Sequence, residues 1–173
     1  MKPKITQIET ERLILREATL EDAEAYAKLG LATYSSGRIN NPKVARKYLQ
    51  DSFSNDDSIE VAVILKAENA LIGHIELCHM KRFEQGIEIC YHLRRKYWGK
   101  GYATESSRAI IHYCFTKLGY RKIYADTEPT NLASQRVLEK LGFKLEGRIR
   151  QRRKIKGVWT DELDYGLLRG ELK

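Results

Sequence analysis

Two glycines and two lysines stand at the start of a segment with helical periodicity, a combination typical of a site for phosphate groups. The glycines are Gly99 and Gly101, and the lysines are Lys96 and Lys100. Glycine lets the backbone turn sharply and lets an oxyanion approach without a Cβ atom in the way. The first N–H groups of a helix have no partner within it and lie at the positive end of its dipole. The segment therefore suits a diphosphate, although an ordinary turn between a strand and a helix would use the same glycines.

Neither of the two commonest nucleotide motifs matches this loop. A Walker loop has the pattern GxxxxGK[ST], which the chain lacks. A dinucleotide-binding loop has the pattern GxGxxG, but Thr104 stands at the sixth position, where the third glycine belongs, and no repeated βαβ half follows. If this loop binds a phosphate-containing ligand, it does so through a motif other than these two.

The segment before the loop carries a row of titratable side chains. Alternation along the predicted strand 86–93 places Glu88, Cys90 and His92 on one face and apolar residues on the other. The four histidines and three cysteines of the chain show no metal-ligand spacing, so no metal site is predicted.

Hydrophobic periodicity and capping signals predict the elements that position these residues. Strands are predicted at 10–17, 59–66, 70–80, 86–93, 122–127, 143–155 and 159–169, the last two joined by a turn at Lys156-Gly157. Helices are predicted from Thr19 to Gly30, from Pro42 to Phe53, from Gly101 to Gly119 and from Leu132 to Leu141. Strands 86–93 and 122–127 should be parallel, because a helix joins them. The order predicts an α+β fold in a single domain over 1–173, with a mixed, mostly antiparallel sheet of about seven strands and about four flanking helices.

Composition and charge narrow the class of protein. The chain has 173 residues, of which 42% are hydrophobic and 31% charged, and neither a membrane span nor a secretory signal is visible. Its net charge of +8 favours an anionic partner, and basic residues cluster at 94–100 and 148–157. The scattered cysteines predict reduced core thiols in a cytoplasmic protein. They are Cys78, Cys90 and Cys114.

Two motifs, in order along the chain, resemble those of the GNAT superfamily of acetyl-CoA-dependent N-acetyltransferases. The first is YWGKGYATE (97–105), and the second is NLASQRVLEKLGFKLEG (131–147). They are most similar to the branch that includes the ribosomal-protein N-terminal (alanine and serine) acetyltransferases. Two stretches near the ends of this chain, ETERLILRE and GVWTDELDYGLL, also resemble the ends of that branch. The resemblance covers nearly the whole chain. One departure is Lys96, where the family has Gln or Arg, and lysine keeps the charge of arginine without its planar fork.

The resemblance implies acetyl-CoA as cosubstrate and a parallel strand pair that splays at the centre of the sheet. Loop amides would hold the pyrophosphate, and free backbone groups of the splayed strand would pair with the pantetheine arm. Asn131 would bond that arm, although it also suits the N-cap of the next helix. The residues that the resemblance assigns to acetyl-CoA are Tyr91, His92, Leu93, Lys96, Tyr97, Trp98, Gly99, Lys100, Gly101, Tyr102, Ala103, Asn131 and Ser134.

The resemblance also implies catalytic roles for two residues. Glu88 matches the position of the branch's general base, with Cys90 where the branch has a glycine. Ser134 matches a serine near the sulfur, and Leu138 stands where many relatives carry a tyrosine acid. A serine hydroxyl is a poor acid, so we expect Ser134 to hydrogen-bond the developing thiolate. Alternative bases are Glu76 first, then His74, His79 and His92.

The sequence leaves the identity of the amine acceptor open. The branch resemblance favours a protein or peptide N-terminal α-amine, with polyamines and antibiotics as the small-molecule alternative. Glu17, Glu21 and Asp22 are candidates to line an acidic acceptor pocket. The basic segment 148–157 is a candidate contact for a ribosome or ribosomal protein. An RNA-binding module is the remote alternative, because no RNA-module motif is visible. No membrane partner is expected, and the oligomeric state stays open between a monomer and a homodimer.

Overall fold

The structure, a computed structural model, describes residues 4–33, 37–79, 85–155 and 157–173. Two predicted features touch residues outside these ranges: Met80, at the end of a predicted strand, and Lys156, in the predicted hairpin turn. No helix within the described ranges is long and apolar enough to cross a membrane.

Strands and helices occupy most of the described ranges. The strands are β1 (Ile8–Glu9), β2 (Leu13–Glu17), β3 (Ala32–Thr33), β4 (Gly37–Arg38), β5 (Ser58–Leu65), β6 (Ala70–His79), β7 (Gly86–Leu93), β8 (Lys122–Thr127), β9 (Lys144–Ile155) and β10 (Val158–Leu168). The helices are α1 (Ala23–Ala27), α2 (Pro42–Ser54), α3 (Tyr102–Thr116) and α4 (Leu132–Leu141). Short 3-10 turns occur at Leu20–Asp22, Lys66–Glu68 and Arg95–Tyr97.

The large sheet has eight strands in the order β1-β2-β5-β6-β7-β8-β10-β9, and β3 and β4 form a separate ribbon. Neighbouring strands of the large sheet are antiparallel except β7 and β8, which are parallel and joined by α3. The predicted α+β fold with a mostly antiparallel sheet is confirmed. The sheet has one strand more than expected, because two-residue β1 is too short to show alternation in the sequence.

The parallel strands β7 and β8 stay together for only three residue pairs. Their register runs from Gly86 opposite Lys122 to Glu88 opposite Tyr124. Beyond that point β7 continues beside β6 as far as Leu93, and β8 continues beside β10 to its end. The sheet therefore opens into a V between the two strands, here called the cleft. The splayed parallel pair that the resemblance implies is confirmed.

Helices cover both faces of the sheet, and each face has its own apolar core. On the α3/α4 face, Ile110 and Leu138 pack in the same core as Ile87 of β7. On the α1/α2 face, a smaller core surrounds Tyr26. Because side chains alternate along a strand, the row of β7 that begins with Glu88 lies on the α1/α2 face.

The helix predicted between Thr19 and Gly30 is interrupted. Its first turn is a 3-10 turn in which Asp22 accepts a hydrogen bond from Thr19 N–H at 2.8 Å, as the capping box predicts. α1 then ends at Ala27, since the N–H groups of the next two residues bond to carbonyls three residues back rather than four. The bounds of α2 and α4 match the sequence prediction to within one residue.

The three cysteines are free thiols in three different environments. Cys114 is buried in the core of the α3/α4 face, Cys78 is half-buried and Cys90 is exposed. The prediction that all three lie in the core is wrong for Cys90. α1 and α2 pack mainly over β6 and β5 and leave this part of β7 uncovered.

Candidate active site

The glycine-rich loop has the backbone shape that a diphosphate requires. Gly99 and Gly101 take positive φ angles of 73° and 83°, a conformation that glycine adopts without strain. Gly101 is the N-cap of α3, and no described side chain caps this helix. The first intrahelical bond runs from Glu105 N–H to Gly101 C=O, so the N–H groups of residues 102–104 remain for a ligand. Together with the helix dipole they form an anion cradle.

Two aromatic side chains fix the loop where it leaves β7. Tyr97 is buried, and its OH donates to the Glu68 carboxylate at 2.7 Å. Trp98 is 56% exposed, and its indole N–H donates to Leu93 C=O at 2.7 Å. Lys96 lies over the Tyr97 ring, with Nζ 4.5 Å from the ring centroid. Trp98 therefore presents a fixed apolar surface at the mouth of the cleft.

Backbone groups of β7 face the cleft at every second residue. Arg94 N–H donates to Ile72 C=O at 2.9 Å, and by alternation the backbone of His92 also bonds to β6. Tyr91 and Leu93 direct their backbone groups toward the cleft, where their register with β8 has ended. An extended ligand can pair like an added strand with both backbone groups of Tyr91 and with Leu93 N–H, since Leu93 C=O already accepts the Trp98 indole N–H. His92, which the family resemblance assigns to the same role, has its backbone groups bonded to β6 within the sheet.

One wall of the cleft is formed where the Tyr91 side chain reaches the start of α4. Its OH lies 2.9 Å from Ser134 Oγ and 3.3 Å from Ser134 C=O. Burial raises the pKa of Tyr91 to about 12, although the hydrogen bond with Ser134 acts to lower it. Ser134 N–H donates to Asn131 Oδ1 at 3.1 Å, the geometry of an N-cap. The Asn131 side-chain NH₂ group has no partner among the described residues and can serve a ligand.

On the α1/α2 side of the sheet, Glu88 lines a groove of about 340 Å³ that crosses β8 toward β9 and β10. Its ionisable lining consists of the carboxylates Glu88, Asp126, Glu146, Glu162 and Asp164 and the basic residues Lys122, Arg152 and Arg153. Five carboxylates against three cations make this groove locally acidic in a chain whose net charge is +8. We call it the acidic groove.

Ion pairs neutralise part of the acidic groove. They are Lys122–Glu146 at 2.7 Å, Arg153–Asp126 at 2.6 Å, Arg152–Glu162 at 3.6 Å and Arg153–Glu162. Burial raises the pKa of Glu162, and the nearby charge of Asp126 adds to this. Asp164 has no ion-pair or hydrogen-bond partner among the described residues. The groove thus keeps a carboxylate that is available to a cation.

Two of the three carboxylates that the sequence suggested for an acceptor pocket make structural hydrogen bonds, and Glu17 also lines a second groove of about 260 Å³ together with Phe53 and Glu60. Asp22 accepts two hydrogen bonds from Arg16, at 2.7 and 2.8 Å. Glu17 accepts the N–H of Ile5 at 2.6 Å. None of the three suggested carboxylates lines the acidic groove.

A second ionisable cluster is buried between the sheet and helices α1 and α2. Glu60 of β5 is 2% exposed, and its Oε2 lies 2.8 Å from His74 Nδ1 on β6. Tyr26 OH donates to Glu60 at 3.2 Å, and Tyr48 OH donates to its other oxygen. Burial acts to lower the pKa of His74, but the charge and hydrogen bond of Glu60 outweigh it and raise the pKa. Sequence analysis missed Glu60, although a carboxylate inside an otherwise apolar strand was a signal for it.

The alternative bases lie outside the acidic groove. Glu76 stands opposite Cys90 in the register of β6 and β7. Burial, followed by the charge of Glu60, raises the pKa of Glu76. The ring nitrogens of two histidines bond elsewhere: His92 Nε2 lies 3.1 Å from Leu29 C=O, and His79 Nε2 lies 2.6 Å from Tyr120 OH. No group of three metal-ligating side chains occurs among the described residues.

The residues around the cleft fit a coenzyme that combines a diphosphate with an amide-containing arm. A Cβ atom built on Gly99 would meet nothing within 4 Å, and one on Gly101 would lie 3.3 Å from Arg12 Nη2. The cradle is thus open on the side away from Arg12. At the other end, the free backbone edge of β7 and the Asn131 amide match the arm. This architecture is that of acetyltransferases, which bind an acetyl thioester between two splayed strands.

Comparison with known proteins agrees with this class. Residues 12–144 match the family model described as Acetyltransferase (GNAT) domain. The N-acetyltransferase p20 of Bacillus licheniformis, itself uncharacterised, is 33% identical over 172 residues, which cover 94% of this chain and 96% of that protein. The crystal structure of a GNAT-family acetyltransferase from Bacillus anthracis has a TM-score of 0.80 at 30% identity, over 94% of this chain and 98% of that one.

A third similarity is to the fold alone. The structure of ribosomal-protein-S5-alanine acetyltransferase from Vibrio fischeri has a TM-score of 0.81 at 22% identity, over 98% of this chain and 100% of that one. The match of residues 12–144 to the family model and the 33% identity to p20 show that the chain belongs to the GNAT family of acetyltransferases, so the resemblance drawn from its motifs is confirmed. Its reaction is the transfer of an acetyl group to an amine.

Proposed function

We propose that the protein transfers the acetyl group of acetyl-CoA to the α-amine of a protein or peptide N-terminus. The observation that carries this is the position of Glu88, at the last pair of β7 and β8 and on the wall of the acidic groove. The cleft would bring the thioester to one side of this point, and the groove would admit a chain end from the other. An α-amine has an unperturbed pKa of about 8, so part of it is neutral at pH 7 and a carboxylate suffices as base.

Acetyl-CoA supplies the activated acyl group, and this chain would hold it at three places. The free amides of residues 102–104 would face the diphosphate, with Lys96 and Lys100 adding positive charge. Tyr91 and Leu93 offer backbone groups to the arm. Asn131 offers its side-chain NH₂, because its oxygen already caps α4. A backbone N–H on the cleft side of β7 would also face the carbonyl oxygen that gains negative charge.

Ser134 and Tyr91 would serve the departing sulfur together. A serine hydroxyl has one proton, and it must point into the cleft to reach a thiolate. If Tyr91 OH donates to Ser134 Oγ at their 2.9 Å separation, the serine proton is directed away from Tyr91 and toward the cleft. Ser134 then stabilises the thiolate by hydrogen bonding, and solvent protonates it.

A small polycationic amine is the second candidate acceptor, and the acidic groove is the observation that favours it. Asp164 has no described partner and would pair with a second ammonium group. A primary alkylamine has a pKa of about 10.4 and is mostly charged at pH 7, so Glu88 would have to remove a proton from nearly every acceptor molecule. For this reason the α-amine remains our first choice.

Contact with a ribosome or ribosomal protein would use the exposed charges of the β9–β10 hairpin. Arg148 pairs with Asp161 at 2.7 Å, whereas Arg150 and Lys154 are exposed, and no salt bridge to either of them is found among the described residues. Lys154 stands opposite Trp159, which is 56% exposed. We propose that these residues attract the anionic carrier of an N-terminal acceptor.

An acetyl-transfer screen tests the acceptor class. Release of the CoA thiol would be followed with peptides that begin with alanine or serine, with polyamines and with aminoglycosides. We expect the highest kcat/KM for a peptide, and none for the same peptide with a blocked N-terminus. A polyamine that reacts at least about tenfold faster than every peptide would replace our first candidate by the second, since tenfold corresponds to about 1.4 kcal/mol of transition-state stabilisation.

A further inference from the structure

Two turns from distant parts of the sequence bond to the glycine-rich loop and to the start of α3. One is the turn between β1 and β2, at residues 10–12, and the other is the 3-10 turn between β5 and β6, at Lys66–Glu68. Lys66 joins the two turns, since its Nζ donates to Thr10 C=O at 2.7 Å and its N–H donates to Arg12 C=O at 3.0 Å.

In the turn at residues 10–12, Arg12 makes most of the contacts with the loop and with α3. Its Nε donates to Glu105 Oε2 at 2.7 Å, and its backbone N–H donates to Glu105 Oε1 at 3.0 Å. Its Nη1 donates to Lys100 C=O at 3.0 Å, and its guanidinium carbon lies 4.5 Å from the centroid of the Tyr102 ring. Thr10 Oγ1 adds a hydrogen bond to Glu105 Oε1 at 2.6 Å.

In the 3-10 turn Lys66–Glu68, Glu68 makes the contacts with the loop. It accepts the hydrogen bond of Tyr97 OH at 2.7 Å, and Lys96 Nζ lies 3.6 Å from the same oxygen. The loop and the first turn of α3 are therefore bonded to two turns that lie far from them in the sequence.

Arg12 and Glu105 control which backbone groups of the loop face a ligand. Lys100 lies between the two glycines, and its carbonyl would repel an anion if it turned toward the cradle. The bond from Arg12 Nη1 engages that carbonyl on the Arg12 side. Glu105 by itself adds negative charge to the first turn of α3, and the guanidinium both neutralises and fixes it.

We infer that Arg12 and Glu105 form a clamp that positions the loop amides for the diphosphate. Arg12 is a positioning residue, because its guanidinium is committed to Glu105 and Lys100 and acts on the ligand through them. This inference rests on the proposed function only for the identity of the ligand, a coenzyme A diphosphate.

Calorimetric titration with CoA, without acceptor, separates the clamp from simple charge attraction. Arg12→Ala should weaken CoA binding about tenfold, as expected when a preorganised loop must be ordered by its ligand. Glu105→Ala is the decisive variant. If only charge matters, removing this carboxylate beside an anion site tightens binding, whereas the clamp requires that binding weaken by a similar factor. Arg12→Lys keeps the charge without the planar fork and should not restore affinity.

Lys47→Ala is the matched control, because it breaks an exposed ion pair with Asp51 on α2 and should leave CoA affinity unchanged. Hydrogen exchange without ligand gives a second readout. Amides 99–104 should exchange faster in both alanine variants, while those of α4 keep the wild-type rate. Unchanged exchange in the loop, or a Glu105→Ala variant that binds CoA as tightly as the wild type, would overturn the inference.

A wild-type protein that does not bind CoA would refute the proposed function instead. Inorganic pyrophosphate is then the probe for the same titrations. Weaker pyrophosphate binding by Glu105→Ala would support the clamp, and equal or tighter binding would refute it.

Discussion

Glu88 occupies the last residue pair before β7 and β8 separate, and it also lines the acidic groove. Glu88→Gln should reduce kcat about 100-fold, the lower range for loss of a general base, and leave CoA affinity unchanged. The pH dependence of kcat should change, because the proposed base is lost. Glu146→Gln is a suitable control, since this groove residue is paired with Lys122. If the Glu88 variant keeps the wild-type pH profile, Glu76 becomes the base to test.

Tyr91 and Ser134 should behave as one unit. Tyr91→Phe removes only the hydroxyl that orients Ser134 and should lower kcat about tenfold, by analogy with the loss of a hydrogen bond in a dry site. In a Ser134→Ala background the same change should cost almost nothing further. The measurement is kcat for the two single variants and the double variant, with CoA affinity measured in parallel. Additive losses would mean that Tyr91 acts independently of Ser134.

The residues of the site differ in how far the sequence reveals them. Gly99 and Gly101 were predictable, because the positive φ angles of a tight loop require glycine. The Tyr91 hydroxyl contact was not, because it depends on a side chain that crosses the cleft to reach α4. The family resemblance assigned the backbone of His92 to the ligand. Alternation in the sequence separates the two side-chain faces of a strand, but it does not show which neighbouring strand each N–H group bonds to.

At the scale of secondary-structure elements, Glu60 fastens α1 and α2 to the sheet through the hydroxyls of Tyr26 and Tyr48, and its third partner, His74, bonds to it within the sheet. Glu60 raises the pKa of His74 above its usual 6.5. A raised folded-state pKa stabilises the protein fully below pH 6.5, and this contribution is lost as pH rises through the folded-state value. The unfolding temperature should therefore fall between pH 6 and pH 9.

His74→Gln is the variant that tests this pH dependence. It should be less stable than the wild type at pH 6, and the difference should shrink toward pH 9. Thermal unfolding at several pH values measures both curves, and His112→Gln on α3 is the control. A constant difference across this range would mean that His74 is not charged in the folded protein.

Elements with a strong period were predicted well, and those formed by tertiary contact were not. α4 was found with its exact bounds because its capping residue, apolar stripe and terminal glycine agree. β1, β3 and β4 are two residues long, so no alternation can reveal them. α1 ends early because of 3-10 hydrogen bonds that its sequence does not predict. The chain order predicted the parallel pair, and the family resemblance implied that it separates.

At the scale of the whole molecule, charge is distributed for two tasks. In the proposed function the acidic groove would attract the amine, while Arg150 and Lys154 give the hairpin a positive surface. Reversing both charges to glutamate should lower kcat/KM about tenfold for an N-terminus presented on a ribosome at low salt, because electrostatic steering raises association rates by 10–10³. The same variant should acetylate a free peptide at the wild-type rate.

Added salt should erase the difference between the two proteins, since screening shortens the reach of exposed charges. Lys43→Glu with Arg46→Glu on α2 is a control with the same change in net charge, away from the hairpin. Equal losses for both double variants would assign the effect to net charge rather than to the hairpin.

The cleft gives the sheet two edges in its interior. The outer edge strand β9 carries arginine or lysine at frequent positions along its length, a feature that discourages pairing with other chains. The inner edges of β7 and β8 cannot be protected in that way, because side-chain charge there would block a ligand that pairs with the backbone. The coenzyme arm would therefore act as a removable strand that covers these edges, and protein stripped of it exposes a template for self-association. Storage with CoA should accordingly slow aggregation.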